Sequence, residues 1–477
     1  MSETTAPNPE KIPARLLAAI VATGLMTFSG VVGETAMNVT FPTLMKEFSV
    51  GTSAVQWLTT GYLLVLALIV PLSTFLKKTF ATKTLFVSAS IIFITGTLMG
   101  ALAPNFAALL AARLLQGAGT GIALPLMYNI ILAQAPKSRI GLIMGIASLV
   151  VSMAPAVGPV MSGVVVERFG WHIVFWVLMP LLALSLALGL WGIRPIGELS
   201  ENKVDWGGYL LLAAGFSAFI FATEKASEYG WLGGAVIGLL AVSAVALALF
   251  ARRSLASAAP LVNLRVFADK SFSFGLVFIL LIQFCVLALG YLIPNYSQLA
   301  TGNSVSVAGM LLLPGCLIGA FIAPVSGTVY DRIGAAKPIL GGAFVIIIAL
   351  TAFAVLGQSL TTALFMGIYA AYCAGQGFSV GNTTTHTLAA VPAAYSADGN
   401  AVLNTLQQLA GAVGTAAAST FVASAQNALP GNIAQATKNG TQNAFVLLTA
   451  LASVAAVCAY LALKHGKRPS ENSGGQQ

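Results

Sequence analysis

Long, uncharged apolar runs recur along this chain and constrain it more than any other feature. Fourteen stretches, at about 16–41, 54–76, 84–103, 106–133, 140–165, 172–193, 207–223, 231–251, 271–298, 305–329, 338–357, 361–389, 400–424 and 443–463, reach the length a membrane helix needs, about 17 residues or more. In hydrocarbon every backbone N–H and C=O must be paired internally, so each run reads as a helix. The expected fold class is all-α and integral to a membrane. Of the 477 residues 57% are apolar and 8% charged, against roughly 25% charged in soluble domains. A soluble globular protein is excluded.

The formal charge of +9 raises the question of a nucleic-acid partner, and the placement of the basic residues answers it. With the N-terminus inside and fourteen crossings, the outer segments hold only Lys46, Arg168, Lys225 and Lys438, and Arg113 lies within a span. The remaining 18 of the 23 Lys and Arg fall on inner segments, the asymmetry of the positive-inside rule. No nucleic acid is expected, and both termini are placed in the cytoplasm of a cell membrane. The segmentation reads as a disordered N-terminus at 1–14, a six-helix bundle at 15–195, an extra helix pair at 205–252, a cytoplasmic linker at 253–270, a second six-helix bundle at 271–464 and a tail at 465–477.

Several chemistries find no support. Cys285, Cys316, Cys373 and Cys458 lie in four different spans without metal-ligand spacing, so no metal is expected. No Gly-x-x-x-x-Gly-Lys-Ser/Thr loop for ATP phosphates occurs. Only three histidines exist, His172, His386 and His465, and no nucleophile and base are arranged for catalysis, so an enzyme is not expected. A non-transporting membrane sensor would call for a long soluble segment, and the connections are short.

One stretch stands out: Gly33-Glu34-Thr35-Ala36-Met37-Asn38-Val39-Thr40-Phe41-Pro42. Leu16 to Val32 before it carry no charge, so Glu34 is a carboxylate at membrane depth, costly there and expected to be functional. If the first helix runs outward to Phe41, Glu34 lies about 10 Å from its outer end; Arg113, in the fourth span, lies about 10 Å from the same face. The two charges are expected at one level, paired directly or bridged by Gln116, Asn38 or water. The alternative is a helix that ends near Val32 and leaves Glu34 at the interface. Desolvation favours the protonated carboxyl and a nearby guanidinium opposes it, so such a group can load and release a proton.

A weak internal repeat supports two similarly oriented halves. Pro71-Leu72-Ser73-Thr74-Phe75 to Ala81 recurs as Pro324-Val325-Ser326-Gly327-Thr328 to Gly334, and parallel halves with a site between them imply a carrier. Ser379, Asn382 and His386 are spaced as one stripe on span twelve, and Asn404, Gln407 and Gln408 lie on span thirteen. With Gln283, Phe284, Tyr291, Tyr62 and Tyr128 as amphipathic walls, these are candidate substrate contacts, although bonds between helices would account for the same polar stripes. A lone His386 also serves as a structural donor. Pro155, Gly158, Pro159 and Gly163 allow a kinked, closely packed fifth span that can act as a hinge, and ordinary small-residue packing accounts for the same pattern. Asp331 and Arg332 at an inner helix end form a candidate cytoplasmic gate or a solvated turn.

Gly327-Thr328-Val329-Tyr330-Asp331-Arg332-Ile333-Gly334 resembles the loop signature of the major facilitator superfamily, and Arg113-Leu114-Leu115-Gln116-Gly117 resembles its fourth-helix signature. Ala154-Pro155-Ala156-Val157-Gly158-Pro159 to Gly163 is similar to the antiporter motif. The first-helix stretch, Gln56-Trp57-Leu58-Thr59-Thr60-Gly61-Tyr62 and Trp171 to Pro180 resemble the fourteen-helix drug:proton antiporters of multidrug efflux type. Three departures accompany these matches: Glu34 replaces the usual aspartate, Thr74, Lys78, Thr79 and Ala81 replace the first-half loop signature, and Gln407 stands where a basic residue is common. The resemblance implies a bacterial multi-pass monomer without cofactor, driven by the proton gradient, that exchanges protons for amphipathic or cationic small molecules. A dedicated exporter of one metabolite, lipid or fatty acid is the alternative on the same scaffold. One proton moving down 100 mV supplies about 2.3 kcal/mol, enough to concentrate a substrate more than about tenfold.

Overall fold

A computed structural model describes residues 13–136, 140–194, 205–257, 260–392 and 395–466. Among the described residues all regular structure is helical: α1 (Ala14–Phe48), α2 (Thr52–Ile69), α3 (Ser73–Thr79), α4 (Thr82–Ala101), α5 (Phe106–Gln134), α6 (Ile140–Phe169), α7 (Ile173–Gly192), α8 (Trp206–Tyr229), α9 (Gly234–Ala256), α10 (Lys270–Leu299), α11 (Val305–Met310), α12 (Leu313–Ile333), α13 (Ala336–Leu356), α14 (Thr362–Ala390), α15 (Ser396–Ala428) and α16 (Ile433–His465), with short 3-10 turns at Val70–Leu72 and Leu264–Ala268. Twelve helical stretches in this part are long and apolar enough to cross a membrane, with α11 and α12 counted together. The two long helices outside those twelve are α6 and α15, and α15 carries Asn400, Asn404, Gln407 and Gln408.

Proline explains where the helices depart from the simplest reading. The second apolar run is broken at Val70–Leu72, where Pro71 has no N–H to continue the ladder. The tenth run breaks after Met310 and restarts with a proline in the first turn of α12. Pro42, by contrast, lies inside α1, which continues to Phe48 rather than ending near Phe41. Pro42 leaves the Asn38 carbonyl without its usual donor four residues on. Asn295 Nδ2 of α10 points at that carbonyl at 3.5 Å, and Gln298 Nε2 donates to Val39 O at 2.8 Å. Neighbouring helices re-pair backbone groups that proline frees at membrane depth.

Helices α1 to α7 pack on one another, as do α10 to α16, and the two sets meet where α1 touches α10 and α11, α2 touches α15, and α6 touches α11 and α12. The α8–α9 hairpin docks through α8 at the seam between α2 and α15. Asp205 caps α8, accepting from Gly208 N at 3.0 Å, and pairs with Arg253 of α9 at 2.7 Å.

Among the described residues the hydrogen bonds between the sets gather at one end of the molecule, that of the α1 C-terminus. Besides the α1–α10 pairs, Thr52 donates to Gln426 Oε1 at 2.6 Å, Ser306 N donates to Glu167 Oε2 at 3.1 Å, and Ser306 Oγ donates to Gly163 O at 2.9 Å. Glycines make the last contact possible. A Cβ on Gly309 would collide with the Pro159 carbonyl oxygen and lie 3.1 Å from Gly163 Cα, and one on Gly163 would lie 3.0 Å from Val305 O. Backbones of α6 and α11 therefore touch directly, as small residues permit.

Candidate functional site

Glu34 lies fourteen residues inside the end of α1, a rise of about 21 Å, which removes the alternative of an interfacial carboxylate at a helix end. Its side chain is 7% exposed and lines a cavity of about 340 Å³ between the two helix sets. One wall comes from α1, α5 and α6, with Asn38, Tyr128, Pro155 and Pro159 beside Glu34; the other comes from α10, α14 and α15, with Gln283, Gln376, Asn404, Gln407 and Gln408. The helical period brings Glu34 and Asn38, four residues apart, to one face, and does the same for Asn404 and Gln408. The cavity thus has one carboxylate, several amides and apolar contacts from Leu124 and Val286, a composition suited to orienting an amphipathic molecule.

Arg113 is 1% exposed and is held inside the first helix set. Its Nε donates to Leu58 O at 3.0 Å and its Nη1 to Gln116 Oε1 at 2.7 Å, and its guanidinium stacks over the Tyr62 ring at 4.4 Å. Gln116 Nε2 donates in turn to Thr97 at 2.9 Å, and the Tyr62 hydroxyl lies 2.9 Å from Thr120 Oγ1 and 3.1 Å from Gly30 O. The fourth-helix signature is therefore a hydrogen-bonded truss tying α5 to α1, α2 and α4. Arg113 does reach the level of Glu34: a Cβ on Gly33 would lie 3.7 Å from its Nη1. Among the described residues the buried Nη2 has no hydrogen-bond partner.

Other expected contacts lie elsewhere, packed against or bonded to a neighbouring helix. Tyr62 and Gln116 belong to the truss. Asn382 donates to Ser326 Oγ at 2.7 Å and Phe378 O at 2.9 Å, joining α14 to α12. His386 lies at the far end of α14, where its Nε2 is 3.5 Å from Ser271 Oγ and its ring abuts Gly466. Phe284 packs its backbone against Gly414 of α15. Tyr291 is fully buried against Phe41, with ring centroids 6.1 Å apart. These six do not line the central cavity.

The hinge residues divide in role. Gly158 lies against α1, where a Cβ would collide with Thr35 Oγ1 and sit 2.8 Å from Val32 O, whereas Pro159 and Gly163 face α11 at the clamped end. Pro155 and Pro159 also line the cavity. Arg332 is exposed, and the Asp331 side chain lies outside the described part. Two polar lining residues were not singled out in the sequence, Tyr369 and Gln376 of α14. Their spacing of seven is two helical turns, the signal that would have shown them on one face.

The sequence model of the Major Facilitator Superfamily matches residues 23–415. Lincomycin resistance protein LmrB of Bacillus subtilis (strain 168) is 35% identical over 469 residues, covering 96% of this chain and 98% of its own. Multidrug resistance protein Stp of Mycobacterium tuberculosis (strain CDC 1551 / Oshkosh) is 26% identical over 408 residues, covering 85% and 76%. Among solved structures, a bacterial homolog to the human lysosomal transporter Spinster, in an inward-facing and unoccupied conformation, superimposes with a TM-score of 0.68 at 17% identity, covering 96% of this chain and all of that one. An auto-inhibited peptide transporter of the POT family does so with 0.69 at 14% identity, covering 97% and 99%. At such identities the structural likeness speaks for the fold alone.

Proposed function

This chain belongs to the Major Facilitator Superfamily, and from that premise we propose that it is a fourteen-helix, proton-coupled antiporter that exports amphipathic or cationic small molecules from a bacterial cell by alternating access. The observation that carries the reading is a lone carboxylate, Glu34, on the wall of a cavity shared by both helix sets. A cation entering the cavity competes with a proton for that charge, so cargo and proton occupy Glu34 in turn. Arg113, held close by the truss, adds a fixed positive charge beside that exchange. No cofactor takes part; the proton gradient supplies the energy.

Direction follows from charge placement. With both termini in the cytoplasm, as the positive-inside asymmetry favours, the clamped end faces outward and the structure is closed to the outside. Export then requires the Ser306–Gly163, Ser306–Glu167 and Thr52–Gln426 contacts to open while the opposite end closes. Lincomycin, after the name of the Bacillus relative, and ethidium, a lipophilic cation, are suitable first cargoes. In inverted vesicles energised by a proton gradient, Glu34→Gln is expected to abolish gradient-driven uptake while the protein still folds; undiminished coupling in that variant would defeat the proposal.

A further inference from the structure

A second cavity, of about 260 Å³, adjoins the central one, and the cycle above leaves it unused. Pro155 of α6, Val286 of α10 and Tyr369 and Gln376 of α14 line both, so the two meet along these four side chains. The chemistry changes across that boundary. Glu34 and most of the amides lie on the central side. On the other, Gly319, Ala320 and Ala323 of α12 stand with Gly377, Val380 and Gly381 of α14, and among the described residues no charged group lines this side chamber. The first and last members of each triplet are four residues apart, hence on one helical face.

Packing accounts for two of the glycines and not for the third. A Cβ on Gly319 would lie 3.2 Å from Cys373 O, and one on Gly377 would lie 3.0 Å from Gly319 O, so both let the backbones of α12 and α14 come together. A Cβ on Gly381 meets nothing within 4 Å. Glycine is the least favourable residue other than proline inside a helix, so its presence in α14 with open space beside it calls for a reason other than a close neighbour. The space itself supplies one. Cys316 and Cys373 complete the walls as small, weakly polar groups, and the Cys316 thiol lies 3.7 Å from the Tyr369 hydroxyl at the boundary with the central cavity.

We propose that the side chamber receives the apolar arm of a cargo whose cationic head stands at Glu34. This rests on the export reading above and narrows its cargo to one-headed amphiphiles, a single cation bearing an alkyl or aryl arm. The head exchanges with the proton on Glu34, and the arm leaves water for a chamber of small, uncharged residues, where burial of apolar surface is favourable. Gln376, on the wall common to both cavities, is placed to bond polar atoms at the joint between head and arm. A dication with a charge at each end of an alkyl chain is disfavoured, because its second charge would enter the chamber without a partner.

The test uses the full-length protein in liposomes and a series of n-alkyltrimethylammonium ions, methyl to octyl, competing with ethidium. Each methylene moved from water into the chamber should tighten competition about three- to fourfold, referred to the free aqueous concentration, until the chamber is full. Gly381→Leu, whose side chain enters the open space, should flatten that dependence, and Ala323→Leu, at an exposed position on α12, should do the same. No dependence on chain length in the unsubstituted protein overturns the inference, and is the result expected if a lipid acyl chain fills the chamber. Undiminished dependence in both folded variants overturns it as well. So does equal weakening of tetramethylammonium and the octyl homologue, which assigns the two positions to packing. In protein with Cys316 as its only cysteine, the octyl homologue at about nine times its dissociation constant should slow alkylation by N-ethylmaleimide about tenfold, and an unchanged rate counts against the chamber as the arm's site. Failure of the coupling reading is seen separately, in unsubstituted protein that moves ethidium without regard to the gradient.

Discussion

Replacing Gly309 by alanine adds one methyl group at the place where the two helix sets touch most closely. That methyl would collide with the Pro159 carbonyl oxygen and lie 3.0 Å from Pro159 C and 3.1 Å from Gly163 Cα. All three atoms are backbone, so no side-chain rotation relieves the overlap and the helices themselves must separate. Overpacking of this kind costs about 1 to 3 kcal/mol. Separation also strains the two bonds from Ser306 to Gly163 O and Glu167, worth about 0.5 to 1.5 kcal/mol each and more at the carboxylate. The first cost alone displaces the equilibrium between clamped and unclamped states about 5- to 150-fold, at about 1.4 kcal/mol per factor of ten. Spin labels on cysteines at Arg168 and Asn427, exposed positions on opposite sets at this end, report the outcome in a background lacking the four native cysteines. Gly309→Ala should move the distance distribution to longer values. A folded variant with an unchanged distribution would refute the idea that backbone contact at Gly309 holds this end shut.

Two further tests address the supports of the site. Arg113→Lys retains the charge but not the rigid fork that serves Leu58 O and Gln116 Oε1 at once; lower thermal stability together with loss of gradient-driven transport is expected, and wild-type values for both would remove the truss from the account. At Asp205, partial burial alone would raise the carboxyl's titration point, but the Gly208 N–H and Arg253 outweigh it and hold the group below its usual value. The stability it contributes is therefore complete above the unfolded value of about 3.9 and is lost as pH falls through the lower native one. Thermal unfolding of Asp205→Asn should fall below wild type at neutral pH and converge with it in acid, and a gap that persists in acid would contradict the assignment.

The helical architecture and the exceptional character of Glu34 were legible because hydrocarbon leaves few choices: an apolar run must close its own hydrogen bonds, and a charge within it needs a reason. Helical spacing also set Asn38 beside Glu34, and Gln408 beside Asn404, on single faces. The same spacing put Asn382 and His386 on one stripe, yet one is bonded to Ser326 of α12 and the other lies by Ser271 at the helix end. Spacing identifies a face without identifying what stands opposite it. For Tyr62 and Gln116 the missing information was the partner, Thr120 in one case and Arg113 and Thr97 in the other.

What the chain's order of residues determined was the solvent it folds in, the helices that solvent imposes, and that a costly charge, Glu34, falls within the first of them. Which amides face the cavity, that Arg113 is spent on a truss, and that Gly163 and Gly309 let two backbones close one end were decided only by the packing of helices distant in sequence. The reason is physical: a polar side chain at membrane depth is equally satisfied by a neighbouring helix or by a wet cavity, and only the neighbour's position tells which.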